Sequence, residues 1–284
     1  MPVAVVTDSA TALPRNLHEE AGLLVTPMEI TLGGRTYDDG PDGVGDDFYD
    51  LLRRSSEIPR TSAPRPARWL EKLNAAKETA DSIFMVTLAA NMSASYDSAR
   101  VAAEMAREED PDLNITVYDS RTAAGSEALI ALAAARTAAS GGSHEEVVAT
   151  AHRVGDRVRL LAYLDTLEYV WRSGRVPRVA VWATSLLKMK PVMEMTRGKV
   201  RNLARPRSRA KAMDRIMTEM AKTAGALPLH VAVMHADAAN EARVLHDQIE
   251  RDFNCVELIV TQFAPFMGAH TGPGLVGASF WAES

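Results

Sequence analysis

One cysteine in 284 residues, Cys255, leaves no internal disulfide to staple the chain. The fold must rest on its core, which fits a reducing cytoplasm. Cys255 lies in an apolar run and reads as a buried, inert thiol. The seven histidines stand at 18, 144, 152, 230, 235, 246 and 270, with no H-E-x-x-H pair and no cysteine cluster beside them. That pattern argues against a metal centre. The G-x-x-x-x-G-K-[ST] loop is missing, and with it that mode of ATP binding. No cofactor is expected. No apolar stretch approaches the roughly 20 residues of a membrane helix. The first residues run into Val3-Ala4-Val5-Val6 without a basic n-region, so no signal peptide is expected. A net charge of −5 argues against general nucleic-acid binding. Internal repeats and low-complexity segments are absent.

What is present is ordinary for a soluble globular protein: 46% hydrophobic and 24% charged residues. The length suits two domains. Continuous apolar runs at 3–7, 23–26, 83–88 and 114–118 read as strands. Helical spacing marks 13–21, 46–54, 67–79, 96–107 and 126–138. In 46–54, Phe48, Leu51 and Leu52 share a face. Ser143-x-x-Glu146 is a capping box for a further helix. Residues 33–45, rich in glycine and aspartate, read as a polar loop. Strand and helix alternate, which predicts an α/β fold with a mostly parallel sheet covered on both faces. A second α/β unit follows: strands at 160–164, 231–235, 256–261 and 275–281, and helices at 166–172, 180–187, 210–222 and 240–252. An extended segment opens at Lys190-Pro191, with Arg197-Gly198 as its turn. The expected division is 1–155 and 156–284.

Small polar residues gather where the first-half strands end: Thr7-Asp8-Ser9, Asn91-Met92-Ser93 and Asp119-Ser120. Thr61-Ser62 precedes a helix. Ligands of open parallel sheets sit beyond such strand ends, and hydroxyls beside helix N-termini suit an anion. Each is equally readable as a simple N-cap. Near the C-terminus, Met267-Gly268-Ala269-His270-Thr271-Gly272-Pro273-Gly274 gathers three glycines, an imidazole and a hydroxyl. It reads either as a turn before the last strand or as a cradle whose N–H groups face one small acceptor. Gly272, Gly274 and Gly277 match G-x-G-x-x-G, but too few residues follow for a dinucleotide unit. Ser93 with His270 raises a serine-type acyl hydrolase as an alternative, although the G-x-S-x-G elbow is missing. Residues 197–211 carry seven cations: Arg197, Lys199, Arg201, Arg205, Arg207, Arg209 and Lys211. They read as a solvated face, an arginine beside an anion pocket, or a docking surface for an acidic partner.

Seven short motifs occur in an order that resembles the DegV family over essentially the whole chain. They are Val6-Thr7-Asp8-Ser9, Thr61-Ser62-Ala63-Pro64, Ser93-Ala94-Ser95-Tyr96, Val117-Tyr118-Asp119-Ser120, Leu167-Glu168-Tyr169 through Gly174-Arg175-Val176, Lys190-Pro191, and Gly268-Ala269-His270-Thr271-Gly272-Pro273-Gly274. The resemblance implies two α/β domains with a long-chain fatty acid held in a tunnel between them. It implies that the chain does no chemistry itself. As the lipid-binding subunit of a cytoplasmic fatty acid kinase, it would present the carboxylate to a separate catalytic subunit, carry the acyl phosphate towards phospholipid synthesis, and touch a membrane surface transiently. Carried over by position, the ligand-binding residues are Thr61, Ser62, Ser93, His270 and Thr271, with Arg207 beside the head group and Arg201 as its rival. Met28, Met92, Leu186, Leu187, Met193, Phe266 and Met267 are expected to line the tunnel, and 13 methionines suit an adaptable pocket. Gly174-Arg175 and the basic stretch are candidate docking surfaces. Two departures stand out: Ala94 replaces a glycine, a position that often demands φ > 0, and Ser173 replaces the first glycine of G-G-R.

Overall fold

Val3–Asp8 (β1), Leu23–Thr26 (β2), Ser82–Thr87 (β6) and Asn114–Asp119 (β7) pair as an all-parallel sheet in the order β2-β1-β6-β7. The chain is seen in a computed structural model that describes residues 2–39, 48–54, 57, 59–174 and 189–283. Arg175, Val176, the apolar segment 180–187 with Leu186 and Leu187, and most of the polar loop after Asp39 lie outside the described residues. Both faces of the parallel sheet are buried, which is why its strands are unbroken apolar runs. Val6, Ile83 and Met85 face α3 (Pro66–Lys77) and α4 (Ser95–Glu109), through Trp69, Leu73 and Ala103. Val5, Phe84 and Val86 face α5 (Ala124–Ala139) and α6 (His144–Gly155). The capping box at Ser143 and Glu146 starts α6. The short α1 (Arg15–Glu20) leads into β2.

A second sheet runs β10-β9-β8-β13-β11-β12, from Arg159–Tyr163 (β8), Val192–Thr196 (β9), Lys199–Ala204 (β10), Leu229–His235 (β11), Cys255–Gln262 (β12) and Val276–Ala282 (β13). Only β11 and β12 are parallel; the other pairs are antiparallel. The β9–β10 hairpin turns on Arg197 (φ 48) and Gly198 (φ 76), as its sequence predicts. Helices α8 (Arg209–Ala224) and α9 (Ala239–Asp252) cover one face, closing over Ile216, Leu245 and Phe280. Strands of the first sheet end by Asp119 and those of the second begin at Arg159; residue 155 falls in the connection between them.

Helix α5 serves both sheets. It packs on β1 on one side and on β11 and β13 on the other. A helix with no polar face belongs inside, and its run of alanines lets two sheets approach. A Cβ on Gly125 would lie 2.9 Å from Ala232 Cβ and 2.9 Å from Met234 Sδ, so nothing larger fits there. Ser126 Oγ donates to Ser279 Oγ across this contact at 3.0 Å.

Three expectations give way here. A third, antiparallel sheet, β4-β3-β5, forms from Glu29–Leu32 (β3), Arg35–Asp38 (β4) and Arg60–Ser62 (β5). Part of the stretch expected as a polar loop is therefore strand. Gly33 (φ 58) and Gly34 (φ 75) make a two-residue hairpin turn that their sequence permits. Thr61 lies on a strand opposite Ile30, not in a turn. In α2 (Phe48–Arg54) the buried face is Phe48, Tyr49 and Leu52, while Leu51 is exposed. Tyr49 belongs inside because its hydroxyl reaches the Phe263 carbonyl at 2.9 Å. Cys255 is half-buried, and burial pushes its thiol pKa up, as an inert cysteine requires.

The three strands β12, β11 and β13 are clasped at one end by His230. Its Nδ1 meets Glu257 at 2.8 Å and its Nε2 meets Glu283 at 3.0 Å, with the ring stacked 4.3 Å from Trp281. Burial opposes the charge on His230, but the two carboxylates outweigh it and raise its pKa above 6.5. A raised folded value makes the stabilisation complete below pH 6.5, and it is lost as pH climbs through the folded value. Charged hydrogen bonds of this kind contribute about 2 kcal/mol. His230→Gln is therefore expected to lower the urea midpoint clearly at pH ~5.5, and much less at pH ~9. Equal losses at both would show that the clasp carries no charge.

Candidate functional site

The C-terminal motif is largely helix. Pro265–Thr271 (α10) begins with Pro265 in the first turn and includes Gly268, Ala269, His270 and Thr271. The motif's glycine amides are taken by backbone carbonyls: Gly268 N–H donates to Ala264 O at 3.0 Å, Gly272 N–H to Gly268 O at 2.8 Å and Gly274 N–H to Ala236 O at 2.7 Å. The expectation of an N–H cradle in this stretch is corrected accordingly; the chemistry falls to side chains. Its glycines serve close packing instead. A Cβ on Gly268 would lie 2.6 Å from Tyr49 Oη. On Gly272, at φ 71, one would lie 2.2 Å from the Tyr169 ring.

What aims α10 is a carboxylate that sequence reasoning passed over. Asp39 is 1% exposed. Its Oδ2 accepts from Ser9 Oγ at 2.6 Å and its Oδ1 from the Phe266 N–H at 2.8 Å. Ser9 Oγ in turn accepts from the Met28 N–H at 3.0 Å. One side chain thus ties the end of β1 to the first turn of α10, where free N–H groups favour negative charge. Burial nevertheless raises the Asp39 pKa to about 6; the bonds from Ser9 and Phe266 pull it down and the nearby Asp8 pushes it up. An aspartate closing a strand just before a Gly/Asp-rich loop was the available signal.

His270 projects from the last turn of α10. Its Nε2 and Thr61 Oγ1 are hydrogen-bonded at 2.9 Å, and its ring stands edge-on to Phe266 at 5.4 Å. Two cavities meet at this residue. The first is apolar and lies between the strand ends of the parallel sheet and the six-stranded sheet. Leu88, Met92, Met193, Met195, Phe266 and Met267 are among its walls, and it ends at Thr271 and His270. It holds about 140 Å³. The second is a polar cleft of about 890 Å³, walled by Gly33, Gly34, Arg60, Thr61, Arg172 and His270 among others. Ser173 and His270 border both.

Of the residues expected at the site, Thr61, His270 and Thr271 come together. Thr271 Oγ1 donates to Met267 O at 3.1 Å within its own helix. Ser62 is exposed and borders neither cavity. Ser93 Oγ accepts from the Ser95 N–H at 3.2 Å and is not in either wall, although Met92 beside it is. The Ser93–His270 pair of a hydrolase therefore has no support: His270 is engaged with Thr61. Arg207 is exposed and away from both cavities. Its rival Arg201 pairs with the buried Glu194, which Arg159 also holds at 2.7 Å. Met92, Met193, Phe266 and Met267 line the apolar cavity as expected. Met28 does not: it is fully buried in the core.

The other strand-end groups work inside the fold. Asp8 accepts from the Ala10 N–H at 3.1 Å, the Leu88 N–H at 3.0 Å and Ser95 Oγ at 2.5 Å. Asp119 accepts from the Ala90 and Arg121 amides. Burial raises the pKa of Asp8, and burial plus the Asp8 charge raises that of Glu127 well above its usual range. The two departures in the motifs are harmless. Ala94 has φ −75, well outside the left-handed region. Ser173 is the last residue of α7 (Glu168–Ser173), and Gly174 at φ 66 provides the left-handed cap.

A family model described as "Uncharacterised protein, DegV family" matches residues 2–283. A DegV domain-containing protein of Streptomyces coelicolor is 32% identical over 277 residues, 97% of this chain and 96% of its own. Among solved structures, one described as the fatty acid binding of a DegV family protein from Thermus thermophilus superposes with TM-score 0.92 at 25% identity, covering 100% of both chains. A DegV family protein from Eubacterium eligens loaded with heptadecanoic acid superposes with TM-score 0.87 at 20% identity, over 99% of this chain and 100% of its own, a likeness of fold.

The Asp39 clasp has a sign that titration reads. A carboxyl whose folded pKa is raised stabilises fully below the unfolded value of 3.8, and the benefit is lost as pH rises to about 6. The loss between those limits is of order 3 kcal/mol. Asp39→Asn keeps an acceptor for Phe266 and removes the ionisation. Between pH ~4 and ~7 the parent should lose about that much stability relative to Asp39→Asn in urea unfolding. Asp8 and Glu127 titrate in both proteins and largely cancel. Parallel pH profiles would refute the assignment.

Proposed function

Since this chain belongs to the DegV family, we propose that it binds one long-chain fatty acid and presents the carboxylate to a separate kinase for acyl-phosphate formation. The acyl chain occupies the apolar cavity, and the acid group sits at the Thr61–His270 pair. The observation that carries this reading is the junction itself: an apolar cavity and a polar cleft that meet at one imidazole. The fatty acid described in the Thermus thermophilus relative supports the ligand class. The reading treats residues 1–155 and 156–284 as two units with the ligand between them, in the cytoplasm.

Burying an acyl chain contributes about 0.8 kcal/mol per CH₂. A cavity of about 140 Å³ has room for only part of such a chain, being equal to roughly five waters at about 30 Å³ each. Methionines at 92, 193, 195 and 267 line it, and unbranched thioethers swing aside at low cost. A carboxylate withdrawn from water must be hydrogen-bonded or it protonates. Thr61 and His270 supply donors directly, and the hydroxyl of Thr271, at the same end of the apolar cavity, adds to the set on this reading. Transfer then needs a phosphoryl donor on the cleft side. A carboxylate oxygen attacks the terminal phosphorus of a nucleoside triphosphate held by the kinase. The bond to the bridging oxygen breaks and the diphosphate leaves. This chain holds and orients the nucleophile and does no bond-making itself.

Organic extraction of the protein purified from a bacterial host should release a long-chain fatty acid near one per chain, read by mass spectrometry. His270→Ala and Thr61→Ala should each weaken retention about tenfold, a loss of about 1.4 kcal/mol, with unchanged unfolding midpoints. Extracts without fatty acid, or full occupancy in both variants, would defeat the reading. Turnover of a chromogenic ester abolished by Ser93→Ala would restore the hydrolase.

A further inference from the structure

We infer that the polar cleft beyond His270 is a phosphoryl subsite, in which Arg60 and Arg172 take the phosphate end of an acyl phosphate. The inference rests on the fatty-acid reading above and assigns a second site next to it. About 890 Å³ is far more than a carboxylate group fills. The cleft differs in character from the apolar cavity: threonines, glycines and charged side chains share its walls with Pro59 and Ala269. Among the described residues of its walls are two arginines, Arg60 and Arg172, and one carboxylate, Glu57.

The cations are placed for exchange rather than for structure. Arg60 lies on β5 opposite Thr31, and both face the cleft. Arg60 has no ion-pair partner among the described residues. Arg172 reaches Glu168 at 2.9 Å, one turn away on α7, with both side chains about half exposed. Such a surface pair contributes at most about 1 kcal/mol, so a dianion displaces Glu168 readily. Gly33 and Gly34 also wall the cleft, and a built Cβ on either meets no atom within 4 Å. Their turn therefore leaves room rather than filling it. Guanidinium groups match phosphate geometry with paired hydrogen bonds. A carboxylate at His270 gains three oxygens and a second charge on phosphorylation, and the added group points away from the apolar cavity into this cleft.

The test compares two ligands with the same tail on lipid-stripped protein at pH ~8. One is palmitate; the other is hexadecylphosphonate, whose second ionisation is well advanced there, so that it carries more negative charge than palmitate. Calorimetry should show the phosphonate binding at least as tightly as palmitate. Arg60→Ala and Arg172→Ala should each weaken the phosphonate about fivefold to tenfold and palmitate less than about twofold. Glu57→Gln should tighten the phosphonate a few fold. Raising salt from about 0.05 to about 0.5 M should weaken the phosphonate more than palmitate. Palmitate binding without phosphonate binding, or equal losses for both ligands in the arginine variants, overturns the subsite and leaves the fatty-acid reading standing. Failure of palmitate to bind the parent protein sinks that earlier reading, and the subsite with it.

Discussion

The geometry at His270 depends on Asp39. Helix α10 is only two turns long, too short to hold a direction by its own hydrogen bonds. Its start is held instead by one carboxylate that also holds Ser9 at the end of β1. Tyr49 adds a second tie, from α2 to the Phe263 carbonyl just before the helix. The two cavities meet where they do because these bonds carry α10 from the six-stranded sheet to the edge of the small antiparallel sheet that bears Thr61. An imidazole and a hydroxyl 209 positions apart then share a hydrogen bond.

The same logic of burying charge only when it is held runs through the core. Asp8 collects two amides and a hydroxyl, and Glu194 collects two arginines. Such groups add little net stability against apolar replacements, but each ties side chains from separate segments to one point. Asp8 joins β1 to the start of α4; Glu194 joins β8, β9 and β10 on the side of the sheet away from the methionines. Helix α5 does the complementary work with apolar surface alone, and its alanines and Gly125 bring the two sheets close enough that the apolar cavity between them is narrow.

Much of the fold was legible because its strands and helices follow simple periods. The parallel strands at β1, β6 and β7, the capping box of α6 and the Arg197-Gly198 hairpin all appear where residue pattern alone puts them. The antiparallel sheet did not, because its strands are three or four residues long and Arg35–Asp38 is polar. Period-two alternation has no room to show in such pieces. Where the two cavities meet, the gathering of Thr61, His270 and Thr271 was legible through the motif order. Asp39 was not, since an aspartate before a Gly/Asp-rich loop looks like any turn residue, and its two partners lie 30 and 227 positions away. Ser93 and Thr7-Asp8-Ser9 illustrate the converse: a hydroxyl or carboxylate at a strand end reads as a ligand contact until its amide partners are known.

A final constraint concerns which cations meet the acid group. The basic stretch from Arg197 to Lys211 suggested an arginine at the head group, yet its members near the core are already matched. Arg201 serves Glu194, Arg209 serves Asp165 and Glu241, and Arg197 leans on Asp156. On the proposed function, that matching suits a carboxylate that would act as a nucleophile. A bidentate guanidinium would lock both oxygens in strong charged hydrogen bonds and lower their basicity. In the proposed complex, a hydroxyl and an imidazole would hold one oxygen and leave the other on the cleft side. Positive charge that is only loosely paired, as at Arg172, would then serve one step further out, where the proposed phosphoryl group arrives with its own negative charge. The separation of the Thr61–His270 pair at the junction from the arginines in the cleft is the arrangement that the proposed order of events calls for.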